Sequence, residues 1–469
     1  MSKRWLFSTL GIVLLMPLFA MTARSAGTAL PSRLIVGYWH NFANDAGTIK
    51  LADVPPAYDV VDVAFADVQS GGTITFTPLP SLYSTNSQFT NDINLLHSKG
   101  QKVLLSIGGA NATVLLNSDT DVQNFVSSVS SIITNFGFDG VDLDLEGTSM
   151  VLNTGDIDFR SPTTPTIVNL IKAVTQLLAQ FPDGLILSAA PETAYMQGGY
   201  GTYGGIWGAY LPVIYALRDK FTYIHVQDYN SGSMFGRDGF TYDPGTTDFL
   251  VAMADMLVTG FRVDAFRETR NLTFPGLGAD KVLIGIPATP NAAGSGYMPF
   301  SAVKPALDYL YTGRSFAGKY QLATPAGYPT FRGVMTWSIN WDVSTSLSWS
   351  LSYRKYLDTL VATVGGVAVD DQTMPKTFAL EQNYPNPFNP TTVIKYTVGG
   401  NRGEGMGVSD ISLVVYDVLG RQVAVLVNER KQPGSYEVSF DATGLASGMY
   451  IYRLTAGSYV ESKTMMLLK

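Results

Sequence analysis

The chain has 469 residues, of which 46% are hydrophobic and 15% charged, so it can bury large cores and is too apolar to be intrinsically disordered. Its formal net charge of −7, without basic clusters, argues against nucleic-acid binding, whereas an uncharged polymer such as a polysaccharide is compatible with it. The absence of cysteine excludes a thiolate nucleophile, disulfides and a cysteine-ligated metal. The three histidines, His40, His97 and His225, are too scattered to indicate a zinc site, and we expect neither a metal nor a cofactor.

The first 26 residues are typical of a cleavable export signal. Lys3 and Arg4 form a positive start, the stretch Trp5–Met21 is almost entirely apolar, and small residues follow up to Ala26. The alternative is an uncleaved membrane anchor, because the apolar run approaches the length that spans a bilayer. The small residues favour cleavage, so we predict a signal peptide over residues 1–26.

Between residues 30 and 360, short apolar runs alternate with stretches of helical period. Eight runs are strand-like: Leu34–Trp39, Val60–Phe65, Lys102–Ile107, Gly140–Glu146, Leu185–Ala190, Tyr223–Gln227, Val282–Ile286 and Gly333–Trp337. Apolar spacing of three and four residues predicts helices over Phe89–Ser98, Asp121–Asn135, Thr166–Gln180 and Phe249–Thr259. Eight such units predict a closed (β/α)8 TIM barrel. An open doubly wound sheet is the alternative, weakened by the lack of a Gly-rich phosphate loop after the first strand.

The composition and periodicity of the sequence change after the barrel segment. Residues 361–377 are small, apolar and then polar with a proline, which indicates a linker. Residues 378–469 show no helical period but several strand-like runs separated by glycine-containing turns. The runs are Val393–Val398, Ile411–Tyr416, Val423–Val427, Tyr436–Phe440 and Met449–Thr455. They predict a small all-β sandwich.

One strand carries a row of acids. Side chains on a strand alternate between two faces, so Asp142, Asp144 and Glu146 share one face, and the leucines and valine between them share the other. In a barrel the acidic face lies inside. Three buried carboxyls lower the cost of desolvation by sharing protons, which raises a pKa as a general acid requires. Glu146 lies at the carboxyl end of its strand, where barrel active sites form. A solvent-exposed strand or a cation site is the alternative.

The spacing D-x-x-D-x-D-x-E, filled by Asp139, Asp142, Asp144 and Glu146, resembles the signature of glycoside hydrolase family 18, which contains chitinases and endo-β-N-acetylglucosaminidases. Four further segments resemble family motifs in the same order along the chain: Ser106–Gly109, Ala189–Glu192, Gln227–Asn230 and Val334–Ser338.

The resemblance implies a retaining, substrate-assisted mechanism. Glu146 would protonate the glycosidic oxygen while the substrate's own 2-acetamido oxygen attacks the anomeric carbon, giving an oxazolinium intermediate. Asp144 would hold the acetamido N–H, and Asp142 would share a proton with Asp144. Tyr229 would align the acetamido oxygen. Asp139 is expected to be structural.

Other residues are expected to contact the sugar. Trp337 is the candidate floor under the distorted sugar, with core packing as the alternative. Tyr38 and Trp39 could line the same pocket or pack in the core, and Gln227 and Asn230 could contact hydroxyl groups. The fifth-strand motif adds Ala189 to the expected substrate contacts. Aromatic residues of the Gly-rich loop after the fifth strand are expected to form a cleft wall: Tyr195, Tyr200, Tyr203 and Trp207.

The segment Pro287–Arg332 leaves little room for the extra α+β insertion that some chitinases carry between the last two strands. A helix over Ala302–Tyr311 uses part of it. We therefore expect a shallow, open cleft and endo-type cleavage.

The segment Phe378–Thr392, with its interleaved asparagines and prolines, resembles the start of a type A sorting domain of type IX secretion. Later turn motifs and the C-terminal Lys469 agree with this resemblance. It implies Sec export followed by passage through the outer membrane to the surface or the medium, with the type IX machinery as partner. A carbohydrate-binding sandwich is the alternative.

These features together predict a secreted chitinase that hydrolyses β-1,4 bonds between N-acetylglucosamine units and acts as a monomer. An endo-β-N-acetylglucosaminidase of N-glycans would share the catalytic residues and is the main alternative. A non-catalytic chitin-binding relative is disfavoured because such proteins typically lack the acid that Glu146 supplies.

Overall fold

The computed structural model describes residues 30–267, 271–360, 378–398, 409–431, 434–457 and 459–469. The predicted signal peptide over residues 1–26 and the predicted linker over 361–377 lie outside the described residues. The chain divides into two compact units, Met1–Ala362 and Thr363–Lys469. Within the described residues, no helix combines the length and apolarity needed to cross a bilayer.

The first unit is a closed barrel of eight parallel strands. Their bounds are β1 Leu34–His40, β2 Val60–Val68, β3 Lys102–Gly108, β4 Gly140–Asp144, β5 Ile186–Ala189, β6 Tyr223–Gln227, β7 Val282–Pro287 and β8 Gly333–Trp337. Each strand pairs with its neighbours in sequence, and β1 also pairs with β8, which closes the ring. The predicted (β/α)8 architecture is confirmed.

Helices cover the outside of the barrel. They are α1 Asn86–Ser98, α2 Asp119–Phe136, α3 Pro165–Ala179, α4 Leu211–Leu217, α5 Thr247–Thr259, α6 Phe300–Thr312, α7 Ile339–Ser344 and α8 Ser348–Thr359. Helix α2 shows why they form where they do. The Ser118 hydroxyl and the Asp121 carboxylate cap its start reciprocally, and the left-handed Gly137 ends it. Helices α4, α7 and α8 were not predicted. The first two have only seven and six residues, too few to show a sustained helical period, whereas the helical spacing of the buried residues in α8 was missed.

The first unit has two apolar clusters, a large one between the strands and the helices and a smaller one inside the barrel. Val141, Leu143 and Leu145 belong to the large cluster between strands and helices. A smaller cluster inside the barrel contains Val36, Tyr38 and Tyr223. The alternation predicted for the acidic strand therefore holds, with its apolar residues outside and its acids inside.

Short excursions follow β6. A hairpin joins Met234–Phe235 to Thr241–Tyr242, and a second antiparallel pair joins Phe261–Val263 to Leu272–Phe274. Between β7 and β8 the chain forms α6 and loops but no strand, in agreement with the expected lack of an α+β insertion there.

The second unit contains two antiparallel sheets, which confirms the predicted all-β sandwich. Its strands are β9 Ala379–Leu380, β10 Thr391–Val398, β11 Ser409–Asp417, β12 Gln422–Lys431, β13 Gly434–Asp441, β14 Gly448–Ala456 and β15 Tyr459–Leu467. One sheet has the order β9-β10-β13 and the other β12-β11-β14-β15. Tyr450 and Tyr452 are buried in the core between them, so they cannot form the exposed aromatic row typical of a sugar-binding sandwich.

Candidate active site

The acidic segment runs out of β4 at the carboxyl end of the barrel. Strand β4 ends at Asp144, two residues earlier than predicted, because the next backbone groups leave the sheet: the N–H of Leu145 donates to the Tyr210 hydroxyl at 2.7 Å. The N–H of Gly109 donates to the carbonyl of Asp144 at 2.7 Å. A Cβ on the neighbouring Gly108 would lie 2.0 Å from that carbonyl oxygen, so the close approach requires glycine. Glu146 thus starts a turn at the mouth of the barrel.

Asp142 lies deepest and is surrounded by donors. Its Oδ2 accepts bonds from the hydroxyls of Tyr38 at 2.7 Å and Ser106 at 2.8 Å, and its Oδ1 accepts one from Ser188 at 2.8 Å. The Nε2 of His225 lies 3.1 Å from the same Oδ1. Burial works to raise the pKa of Asp142, but the charge of His225 and these donors outweigh it and lower the pKa. Asp142 is therefore a buried carboxylate.

Asp144 and Glu146 share one donor. The Gln227 Nε2 donates to Asp144 Oδ1 at 2.8 Å and to Glu146 Oε1 at 3.0 Å. Burial, followed by the charges of Glu146 and Asp142, raises the pKa of Asp144 well above its ordinary value. Burial also raises the pKa of Glu146, while bonds with Gln227 and Asp144 oppose the rise. The pair therefore retains a proton at a pH where an exposed carboxyl has lost it, as a general acid requires.

A further carboxyl, Glu192, stands at the edge of this pair. It follows β5 and forms an isolated bridge with Gln227. Burial, followed by the charge of Glu146, raises the pKa of Glu192 to about 7. Sequence reasoning did not assign Glu192 a role, although it ends the Ala189–Glu192 motif. The signal that could have found it is an acid within three residues of the carboxyl end of a barrel strand.

Tyr229 belongs to the interior cluster and is 4% exposed. Burial raises the pKa of its hydroxyl well above the ordinary value, and the charges of Asp144 and Glu146 add to the rise. Asn230, by contrast, is exposed: its Oδ1 accepts a bond from the N–H of Gly294 at 2.8 Å. Asn230 therefore holds the loop after β7 by a hydrogen bond, and this structural role is separate from the sugar contact that we predicted for it.

Aromatic rings surround one side of the mouth. Trp337 is partly exposed and stacks on Phe65, with ring centroids 5.9 Å apart and planes 16° apart. Phe42 stacks on the same indole at 6.5 Å, and Tyr38 lies at 5.4 Å. The rings of Phe42 and Phe65 were missed by sequence reasoning, because isolated phenylalanines near strand ends are indistinguishable from core residues. Together they hold the indole in place while leaving it accessible.

Residues 34–296 match the model of the glycosyl hydrolases family 18, which covers more than half of the chain. The chain belongs to this family.

Relatives within family 18 agree with this assignment. Chitinase Chi52 of Paenibacillus xylanexedens is 50% identical over 331 residues, which cover 70% of this chain and 62% of that protein. Chitinase D of Niallia circulans is 50% identical over 343 residues, covering 72% of this chain and 64% of that protein. The chain thus spans less than two thirds of the length of these two relatives.

The crystal structure of a family 18 chitinase from Chromobacterium violaceum superimposes with a TM-score of 0.65 at 41% identity. The alignment covers 71% of this chain and 85% of that chain. In the second unit, residues 382–468 match the model of a secretion system C-terminal sorting domain. The chain therefore combines a family 18 barrel with such a sorting domain.

Some residues predicted to contact substrate lie elsewhere in this family 18 barrel. Ala189 is fully buried in the outer cluster between strands and helices, whereas its neighbour Ala190 faces the interior. The expectation for Ala189 is thus wrong by one residue, because adjacent strand residues face opposite sides. Trp39 also packs outside, and its Nε1 donates to the carbonyl of Ile49 at 3.1 Å.

The Gly-rich loop after β5 buries three of the four aromatic rings that we expected to form a cleft wall. Tyr195, Tyr200 and Tyr203 are each less than 9% exposed and pack in the outer cluster. Only Trp207 among the four predicted residues is exposed, at 38%. Tyrosines in a loop that packs back on the barrel bury their rings, which composition alone cannot reveal.

Two buried carboxyl groups and one imidazole lie together inside the barrel. Ligand atoms of Asp62, Asp142 and His225 lie within 4.8 Å of one another, and all three residues are fully buried. Structural zinc sites use four protein ligands, and catalytic sites with three keep a position open to water. A fully buried set of three fits neither arrangement, so we interpret the group as a set of buried polar contacts and not as a zinc site. Asp62 and His225 were not predicted as site residues.

Proposed function

We propose that this chain is a retaining chitinase that hydrolyses β-1,4 bonds between N-acetylglucosamine units by substrate-assisted catalysis. The single observation that carries the proposal is the carboxyl pair Asp144 and Glu146, held by one amide of Gln227 at 2.8 and 3.0 Å and raised in pKa by burial. The names of the relatives Chi52 and Chitinase D agree with it.

Each step needs one group of this site. Glu146, as the acid at the mouth, protonates the glycosidic oxygen as the bond to the leaving sugar breaks. The substrate's 2-acetamido oxygen attacks the anomeric carbon from the opposite side, and Asp144 accepts the acetamido N–H and stabilises the positive charge of the oxazolinium. Tyr229 donates its hydroxyl hydrogen to the acetamido oxygen. Water activated by Glu146 then opens the intermediate, and the configuration is retained.

The indole of Trp337 forms the floor under the sugar in this scheme. An aromatic face offers a flat apolar surface to the C–H side of a pyranose, and the stacked Phe65 and Phe42 fix its orientation. Tyr38 lies beside the same indole, but its hydroxyl donates a hydrogen bond to Asp142.

The test is turnover of chitin oligomers by Glu146→Gln. We expect kcat to fall by about 10²-fold to 10⁴-fold, the usual contribution of a general acid, with binding largely retained. Asp158→Asn is the matched control, since Asp158 is a carboxylate that pairs with Arg160 on the surface. Near-normal turnover in Glu146→Gln would contradict the proposal.

Product analysis distinguishes the substrate classes and the cleavage pattern. Chitin oligomers are incubated beside a high-mannose glycoprotein, and the initial anomer is read by NMR. We expect β-anomeric products of several lengths from the oligomers, as in endo-type cleavage. Release of glycans without oligomer cleavage would identify an endo-β-N-acetylglucosaminidase instead.

For export we propose a Sec signal over residues 1–26 and type IX passage directed by residues 378–469, which are joined to the barrel by a linker. The match of residues 382–468 to a sorting domain supports the second step. Deletion of residues 378–469 should leave the enzyme inside the cell envelope. Normal secretion with reduced polymer binding would indicate a sugar-binding module instead.

A further inference from the structure

A groove lies beside the C-terminal end of helix α5, and we call it the side groove. Its volume is about 430 Å³, within the range of about 300 to 1,000 Å³ that is usual for ligand clefts. Among the described residues, those that line it include no group of the acid site. Its walls include Tyr200, Arg237, Thr259, Phe261, Arg262 and Thr273.

One wall is the antiparallel pair Phe261–Val263 and Leu272–Phe274, which we call the ribbon. In both strands the outer residues are buried and the middle ones, Arg262 and Thr273, are exposed. The register pairs Arg262 with Thr273, so their side chains stand next to each other on one face. Their buried neighbours belong to the large apolar cluster. The ribbon is therefore fixed to the barrel on one face and presents a guanidinium and a hydroxyl group on the other.

Aromatic rings stand beside the side groove. Phe266, which follows the first ribbon strand, is 57% exposed, and Phe240, in the turn of the hairpin after β6, is 71% exposed. They are the two most exposed large apolar side chains among the described residues of the first unit. The ring of Phe266 packs edge-on against Phe235 at 4.9 Å and against Tyr200 at 5.8 Å between centroids. Rings that are supported in this way and still face water are typical of a binding surface.

The charges around the side groove favour a neutral ligand. Arg237 pairs with the buried Asp255, with Nε 3.4 Å from Oδ2. Burial raises the pKa of the Tyr200 hydroxyl, the charges of Arg262 and Arg237 lower it, and the charge of Asp238 raises it. Charges of both signs therefore surround this hydroxyl, and an anion placed there meets repulsion as well as attraction.

The side groove is attached to the mouth of the barrel. The loop that carries Tyr200 begins after β5, close to Glu192, and the hairpin that carries Arg237 follows β6. The hydroxyls of Thr193 and Ser231 form a hydrogen bond between these two loops. A polymer seated in the groove is thus held by the loops that also border the acid pair.

We propose that the side groove and Phe266 form a second carbohydrate site, which holds a segment of a chitin chain away from the acid pair. A chain of N-acetylglucosamine has C–H faces that pack on aromatic rings. Its hydroxyl and acetamido groups accept hydrogen bonds from guanidinium groups and exchange them with hydroxyl groups such as that of Thr273. The identity of the sugar rests on the proposed function.

The test is adsorption of the full-length protein to insoluble chitin, measured with Glu146→Gln in every variant so that the polymer is not consumed. We expect Phe266→Ala and Arg262→Ala each to weaken adsorption about threefold to tenfold, because each removes a contact with the chain. Leu351→Ala is the matched control: Leu351 is 56% exposed on α8, and its loss should leave adsorption unchanged. Unchanged adsorption in both groove variants, or an equal loss in Leu351→Ala, would overturn the inference.

Turnover of a soluble chromogenic chitobioside separates this inference from the proposed function. With Glu146 intact, Phe266→Ala and Arg262→Ala should keep the wild-type kcat/KM, because neither residue is part of the acid site. A lowered kcat/KM at an unchanged unfolding midpoint would place them in the active site and count against a second site. If the wild type does not cleave the chitobioside, the proposed function fails, and adsorption still decides whether the groove binds chitin.

Inorganic phosphate is the probe for the other class of ligand. In calorimetric titration, the Glu146→Gln protein should bind chitopentaose at two sites, and Arg262→Ala should remove one of them. Phosphate binding that Arg262→Ala abolishes, with the chitopentaose titration unchanged, would identify an anion site instead and overturn the inference.

Discussion

Substitution of Gln227 is the most direct way to perturb the acid pair Asp144 and Glu146, because its amide donates to both carboxyls. Its Nε2 donates to Asp144 at 2.8 Å and to Glu146 at 3.0 Å, and it also contacts the carbonyl of Ala190 at 3.1 Å. Gln227→Met keeps a side chain of similar length and removes these donors. The two carboxyls then face each other without the group that stabilises their charge.

The size of the effect follows from these contacts. A hydrogen bond to a charged acceptor contributes about 1.5 to 3 kcal/mol, which corresponds to about one to two pKa units. The bond from Gln227 lowers the pKa of Glu146 against the effect of burial, so its loss raises that pKa. The acid stays protonated to higher pH, and the basic limb of kcat/KM should rise by about one to two units.

The assay is the pH profile of kcat/KM on a soluble chromogenic chitobioside, measured together with thermal unfolding. Gln101→Met is the matched control: Gln101 is also buried, but its Nε2 donates to the carbonyls of Pro55 and Tyr58 and contacts no carboxyl. It should lower the midpoint of unfolding and leave the pH profile unchanged. A basic limb in Gln227→Met at or below the wild-type pH would refute the reasoning.

Three further variants test other parts of the structure. Asp139→Asn should cost about 1.5 to 3 kcal/mol of stability by losing charged hydrogen bonds. Burial alone would raise the pKa of Asp139, but its basic partners outweigh burial and lower the pKa. The difference in unfolding midpoint between wild type and variant should therefore be full at neutral pH and vanish as the pH falls below the ordinary aspartate range. Gly108→Ala should prevent folding, since its Cβ would lie 2.0 Å from the Asp144 carbonyl oxygen. In the control Gly100→Ala the new Cβ meets no atom within 4 Å, so the variant should lose only about 1 to 3 kcal/mol to backbone strain. Soluble yield and thermal melts compare the two variants. Trp337→Ala should raise KM for chitin oligomers about tenfold by losing about 1.5 kcal/mol of ring contact, and an unchanged KM would remove the indole from the sugar site.

Much of the barrel was predictable because its signals are local. Apolar runs of strand length alternate with helical periods, and the strands found lie within a few residues of those predicted. The alternation along β4 separated Asp142 and Asp144 from Val141 and Leu143 without any tertiary information. Short helices such as α4 and α7 escaped prediction, because seven or six residues carry too little period to be distinguished from a loop.

The partners of the acids were not predictable in the same way. Ser188 and Ala189 face opposite sides of β5, and only the strand register decides that Ser188 meets Asp142. A boundary error of one residue reverses such an assignment. Glu192 likewise owes its raised pKa to burial first and then to the charge of Glu146, and both depend on the folded barrel and not on adjacent residues.

The sequence by itself therefore determined the architecture, the two-domain composition and the identity of the acidic row, since periodicity and short motifs are properties of adjacent residues. The tertiary structure decided the charge state of that row. Against the effect of burial, the charge of His225 and the hydroxyl donors from three other strands, including Tyr38, 104 residues away, lower the pKa of Asp142. The pKa of a buried group depends on which charges and dipoles surround it in space, and only closure of the barrel brings them together.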